Sequence, residues 1–294
     1  MTQNRRTFIR LVSAAAAGGL LINETQAITA IRLPKGVSWG VCTEIKNATW
    51  LKSAGVNYIE ENVGRFLMAG DNESRYLENL ALSRKSPLPV LTANSFIPGT
   101  LRATGPDANH TAILQYADST MMRARKAGIQ VIVLGSGAAR KVPDGFDKEK
   151  AKKQLVELFT KISAYAARHR IKIAIEPLNS GETNIINTVE EGIEYVQLVN
   201  RPNIRLLADV YHMMKENESP ESIRKAGSMI IHCHVAEKEG RAAPGTNNEN
   251  FKPYFRALKD INYSARISIE CKWSNMEQQI RQSMEYLRTQ WNES

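Results

Sequence analysis

Eight short apolar runs, each followed by a segment of helical period, constrain this chain more than any other feature. They read VSWGVCTE, VNYIEENV, LPVLTAN, IQVIVLG, IKIAIEP, IRLLADV, MIIHCHVAE and ARISIEC, all between residues 37 and 271. Near-continuous apolar strands are those buried on both faces, as in parallel sheets covered by helices. The helical segments fall at 46–54, 73–85, 107–127, 147–170, 188–199, 219–227, 251–259 and 274–291. Local start signals agree. Thr188 with Glu191 and Ser274 with Glu277 have capping-box spacing, and Ser219-Pro220 forms an N-cap and first-turn pair. Eight such units in one chain of this length predict the α/β class and, within it, a single-domain (β/α)8 TIM barrel over residues 28–294. A doubly wound sheet is the rival. No GxGxxG follows the first strand, GSGAAR at 135–140 lacks the third glycine, and no P-loop occurs, so a dinucleotide site is not expected.

The first 27 residues are read separately. NRRTFIRL at 4–11 places paired arginines ahead of VSAAAAGGLLI, and TQA at 25–27 ends on a small residue that a signal peptidase accepts. This is the pattern of a twin-arginine export signal and predicts a periplasmic protein. The apolar run is too short for an ordinary spanning helix, so no stable membrane insertion is expected once the signal is removed. That route carries proteins already folded, which suits a site built from many strands. The net charge of +9 falls to +7 without residues 1–27. Lysines and arginines are scattered along the helices with no run of five or six, as on solvated faces, so nucleic acid is not an expected partner. Cys42, Cys233 and Cys271 are well separated inside strand-like runs and read as free thiols.

In (β/α)8 barrels the chemistry gathers at the carboxyl ends of the strands. There the second half of the chain places Glu176, Asp209, His234 and Glu270, each closing an apolar run. Three carboxylates at one rim need compensation, because an unpaired charge in a low dielectric costs several kcal/mol. One divalent cation would supply it, and oxygen ligands with a single imidazole suit Mn²⁺, Mg²⁺, Co²⁺ or Zn²⁺. His232 shares a face with His234, two residues on, and reads either as a hydrogen-bonding support or as a satisfied core histidine.

At these residues the chain resembles the xylose-isomerase-like barrel superfamily, and within it the sugar epimerases and isomerases of the D-tagatose 3-epimerase type. The resemblance implies that Glu176, Asp209, His234 and Glu270 hold one divalent metal. It implies substrate-binding roles for Glu182 in EPLNSGETNIINT, His212 in DVYH, and Arg241 in HVAEKEGRAAPG, where this chain carries one extra residue. Glu176 and Glu270 would then serve as base and acid at a carbon beside a carbonyl, through an enediolate. The expected activity is metal-dependent sugar isomerisation or epimerisation on a small sugar or keto-glycoside. Barrels of this kind often pair, which admits a homodimer.

The alternatives are an exported enzyme cleaving 3-keto-glycosides by elimination at the same metal site, and a non-catalytic sugar-binding barrel, which would not require the paired glutamates. An apurinic-site endonuclease shares the barrel but needs histidines on strands two and three, where this chain reads IEENV and LTANSF. Trp39 and Trp273 are candidates for sugar stacking or for core packing, and Glu60, Asn94 and Arg140 are candidate pocket residues. GSGAARK at 135–141 is a candidate phosphate cradle, and His110 and His169 read as surface residues.

Overall fold

The structure, a computed structural model, describes residues 36–70 and 72–294; the expected export segment lies outside them. The elements are β1 Ser38–Cys42, a 3-10 turn Ile45–Asn47, α1 Ala48–Ser53, β2 Tyr58–Asn62, α2 Val63–Leu67, α3 Glu73–Lys85, β3 Val90–Asn94, α4 His110–Ala127, β4 Val131–Leu134 and α5 Gly137–Arg140. They continue with α6 Lys148–His169, β5 Lys172–Ile175, α7 Val189–Val199, β6 Ile204–Asp209, α8 Val210–Lys215, α9 Glu221–Ala226, a 3-10 turn Gly227–Met229, β7 Ile230–Val235, α10 Lys252–Asp260, β8 Arg266–Ile269 and α11 Met276–Asn292. The strands form a closed barrel in sequence order. Every pairing is parallel, and β1 meets β8 with Ser38 opposite Arg266 and Val41 opposite Ile269. The barrel expectation holds, with all eight apolar runs in place.

Side chains alternate across each strand, so two cores result. The outer one fills the space between barrel and helices; Trp39 lies in it, edge-on to Phe255 and Trp291 at centroid distances of 6.0 and 6.2 Å. Trp39 is therefore a packing residue, not a sugar platform. The barrel interior divides in two. Val131, Val133, Ala174 and Leu207 make its apolar part. Tyr58, Glu60, Thr92, His232, His234 and Ser268 make a buried polar part. Gly40 lets Tyr58 into that interior, since a Cβ there would stand 2.2 Å from the ring.

Caps set several helix starts. Asn109, Asp147 and Thr188 accept the amides of Ala112, Lys150 and Glu191 at 3.0, 2.7 and 3.1 Å. The Thr188 cap stands as expected, though Glu191 returns its carboxylate to Asn187 N rather than to Thr188 N. At α11 the cap is Asn275, not Ser274: Asn275 accepts from Gln278 N, while Gln279 holds the amides of both Ser274 and Asn275. Ser219 Oγ accepts from Glu221 N, one residue ahead of the boundary. No helix among the described residues is long and apolar enough to cross a membrane.

Candidate active site

Four strand ends build the site. Glu176 follows β5, Asp209 ends β6, His234 is the next-to-last residue of β7, and Glu270 follows β8. His234 Nδ1 lies 2.8 Å from Glu176 Oε1, 3.3 Å from Glu270 Oε2 and 3.9 Å from Asp209 Oδ2. One donor atom from each of the four falls within 4.8 Å of every other. Local geometry makes room for this. A Cβ at Gly135 would stand 2.3 Å from Glu176 Oε2, so any side chain there would displace that carboxylate. Asp209 Oδ1 caps α8 through His212 N at 3.2 Å, which leaves Oδ2 buried with no hydrogen-bond partner. A buried carboxylate oxygen without a partner, facing two more carboxylates and an imidazole nitrogen, fits a divalent cation.

A second layer holds His234. Its Nε2 lies 2.9 Å from Glu60 Oε1, while Glu60 Oε2 meets His232 Nε2, Thr92 Oγ1 and Ser268 Oγ, each at 2.7 Å. Glu60 is fully buried. Burial disfavours its charge, but His234 and His232 outweigh that and hold the carboxyl well below the usual range. His232 thus reaches the site through Glu60 and is a support rather than a bystander. Burial pulls its own basicity down despite Glu60, and its Nε2–H donates to that carboxylate, which can only accept.

The two flanking glutamates are driven apart. Burial, with repulsion from Glu270 and Asp209, raises the Glu176 carboxyl against the pull of His234. Burial would raise Glu270 as well, but His234 and Arg241 overcome it and lower that carboxyl. Burial disfavours the His234 cation too, yet Glu60, Glu270 and Glu176 lift its basicity well above the ordinary imidazole.

The three residues assigned to substrate all reach this mouth. His212 is buried, and its Nδ1 lies 3.1 Å from Asn179 N, a backbone amide that can only donate. Nδ1 is therefore the acceptor and Nε2 carries the proton, with no hydrogen-bond partner in the protein and Asp209 Oδ2 3.7 Å away. Arg241 stacks on Tyr211, its guanidinium carbon 4.7 Å from the ring centre. Its Nη2 pairs with Glu270 Oε2 and lies 3.6 Å from Asp209 Oδ2, while Nη1 lies 3.6 Å from Glu182 Oε1. The loop that carries Arg241 is tied down by Glu237, a fully buried carboxylate accepting from Gly245 N at 2.7 Å and Asn247 N at 2.6 Å. Arg241 itself takes a positive φ of 52°.

A cavity of about 280 Å³ opens over these groups. Asn94 lines it and donates to Glu270 Oε1 at 2.9 Å. Gly135, Ser136 and Gly137 line it as well. Arg140, expected near the pocket, turns inward instead and donates to the carbonyls of Leu134, Glu176 and Ile186 at 3.2, 2.9 and 3.2 Å. The candidate phosphate cradle therefore lacks its arginine. Trp273 is half-buried and packs against the outer core. His110 and His169 are half-buried on their helices, bonded to Ala103 O and Asp118 at 2.9 Å each. Sequence reasoning passed over Asn179, although it stands inside the quoted EPLN, and Glu237, three residues past His234.

Known proteins share this arrangement of strands. The xylose isomerase-like TIM barrel model matches residues 48–290. The chain is similar to L-ribulose 3-epimerase of Methylomonas sp. strain DH-1, 40% identical over 116 residues, 39% of this chain and 40% of that one. It is also similar to D-psicose 3-epimerase of Enterocloster bolteae, 29% identical over 147 residues, 48% of each chain. The match thus spans less than half the length of either relative. In fold it is similar to 3-keto-D-glucoside 4-epimerase from E. coli, with a TM-score of 0.75 at 18% identity over 86% of this chain and 99% of that one. A family match that runs from the first helix to the last places the sequence beyond doubt: this chain belongs to the xylose isomerase-like TIM barrel family.

Proposed function

We propose that the protein is a divalent-metal-dependent sugar isomerase or epimerase that moves a proton at a carbon beside a carbonyl. The observation that carries this reading is the meeting of Glu176, Asp209, His234 and Glu270 within 4.8 Å at one barrel mouth. Mn²⁺, Mg²⁺, Co²⁺ or Zn²⁺ held by these four would polarise the carbonyl of a hydroxy-ketone and acidify the neighbouring C–H. Glu270, just beyond β8, would take that proton as general base. Glu176, just after β5, would return a proton to the carbon as general acid. In the reverse direction the two exchange roles. His212 Nε2–H donates to a substrate oxygen, and Asn179 locks the tautomer that lets it do so. Arg241 offers charge to the enediolate oxygen, and Glu182 accepts from a hydroxyl further along the sugar. The ketose 3-epimerases to which the chain is similar support this class of substrate.

A second reading, elimination from a 3-keto-glycoside, is favoured by one feature. It is the twin-arginine pattern at residues 4–11, since an exported enzyme meets larger glycosides more than free keto-sugars. A single experiment separates the readings: incubation of metal-loaded protein with keto-sugars and 3-keto-glycosides in D₂O. Deuterium beside the carbonyl with a stereoisomeric or aldose product supports the first. A released aglycone supports the second, and no exchange across the panel leaves a sugar-binding barrel. Glu270→Gln should cost about 10²- to 10⁴-fold in turnover, the usual worth of a positioned base. The twin-arginine pattern at residues 4–11 supports action in the periplasm, tested by cell fractionation and by N-terminal sequencing for a chain beginning at Ile28. The working form we infer is a homodimer, and sedimentation equilibrium tests it.

A further inference from the structure

The opposite mouth of the barrel carries a feature that the proposed reaction does not use. Arg266 and Lys172 are the first residues of β8 and β5, four positions before Glu270 and Glu176 on the same strands. That spacing puts them about 13 Å below the metal-ligating carboxylates. Both line a cavity of about 290 Å³ that contains no Asp or Glu, with Ser228, Asn262 and Ser264 among its polar residues. Arg266 is only 9% exposed, and its Nε is closed to solvent with no hydrogen-bond partner. Its Nη2 donates to the neutral amide of Gln130. The ion pairs found among the described residues include neither Arg266 nor Lys172.

A guanidinium nine-tenths buried with a neutral partner, a free N–H and no carboxylate is an arrangement that buried charge ordinarily avoids. Arginine presents a planar fork of donors that matches the oxygens of a phosphate or carboxylate, and a lysine beside it adds a second positive charge. We propose that the amino-terminal mouth of the barrel is an anion site for a small oxyanion of the phosphate class. Arg266 supplies the buried donors, Lys172 closes the site from the solvent side, and the Ser228 and Ser264 hydroxyls contribute from the rim. Because Arg266 pairs in register with His232, whose Nε2 meets Glu60, an anion seated there braces the strand pair that carries His234.

Inorganic phosphate is the probe. In metal-loaded protein it should raise the melting temperature saturably, above the effect of sodium chloride at equal ionic strength, and titration calorimetry should give a single additional site. Lys172→Glu, a change at an exposed position, should weaken phosphate binding by at least about tenfold, as loss of one charged partner with added repulsion requires. Arg266→Met should abolish it; should that variant fail to fold, Lys172→Glu alone decides. A phosphomonoester and citrate, run in parallel, tell a free oxyanion from the phosphate or carboxylate of a larger molecule. A response no greater than that to chloride overturns the proposal. So does a saturable response unchanged in Lys172→Glu, which would place the phosphate at the carboxylate mouth.

Discussion

Glu60 shows what a single side chain decides here. It touches no candidate ligand except His234, yet its hydrogen bond at Nε2 determines which imidazole nitrogen is turned toward Glu176 and Glu270. A carboxylate behind a ligating histidine fixes the ring and raises its basicity, and removing such a partner typically weakens metal affinity by 10- to 100-fold. Glu60→Gln keeps the volume and one acceptor but loses the charge. We expect its metal affinity to fall by about 10- to 100-fold, measured by competition with a chromogenic chelator, with the fold intact by circular dichroism. The four candidate ligands could be read from the sequence because each ends an apolar run. Glu60 could be noticed only as a charged residue near a strand end, since nothing in IEENV tells a rim carboxylate from one turned beneath a histidine. Arg140 failed for the opposite reason. Its position after β4 suggests the pocket, while three inward-facing carbonyls claim the guanidinium.

Within the elements, period 2 accounts for the site. Positions 172, 174 and 176 on and after β5, and 266, 268 and 270 on and after β8, share the inward face and lead from a cation at the bottom to a carboxylate at the top. The long strands and helices were legible because their periods repeat often enough to stand out. The short helices α2, α5 and α8 were not, for each spans only four to six residues within three positions of a strand's end. A signal for α8 is nonetheless present, Asp209 being both a ligand candidate and an N-cap three residues before His212. The Ser274 start was displaced by one residue because Asn275, an equally good cap, stands next to it. Gly40 gives an element-scale test. A methyl group there collides with the Tyr58 ring, whose hydroxyl lies 2.7 Å from Ser268 Oγ. Gly40→Ala should cost about 1–3 kcal/mol, the usual penalty of overpacking, read as a lower urea midpoint with an unchanged slope.

At the scale of the whole molecule, the candidate ligands come from four consecutive strands, β5 to β8, so a cation held by them would bridge a quarter-turn and more of the barrel wall. A ligand that binds the folded state alone stabilises it by mass action. At a free concentration 100 times its Kd the gain is about 2.7 kcal/mol. Chelation of the metal should therefore lower the melting temperature, and re-addition should restore it in proportion to the logarithm of cation concentration. Glu270→Gln should blunt that response, which scanning calorimetry can follow without any substrate.

Barrel closure has one more consequence, concerning biosynthesis. β8 is the strand that seals the cylinder against β1, and the last ligand, Glu270, stands just beyond it. A growing polypeptide on the ribosome would therefore hold three of the four proposed ligands with nothing to complete the set until residue 270 has emerged. On the proposed reading, metal uptake would wait for β8, and a chain released short of residue 266 would carry three of the four ligands and neither the closed barrel nor the proposed base.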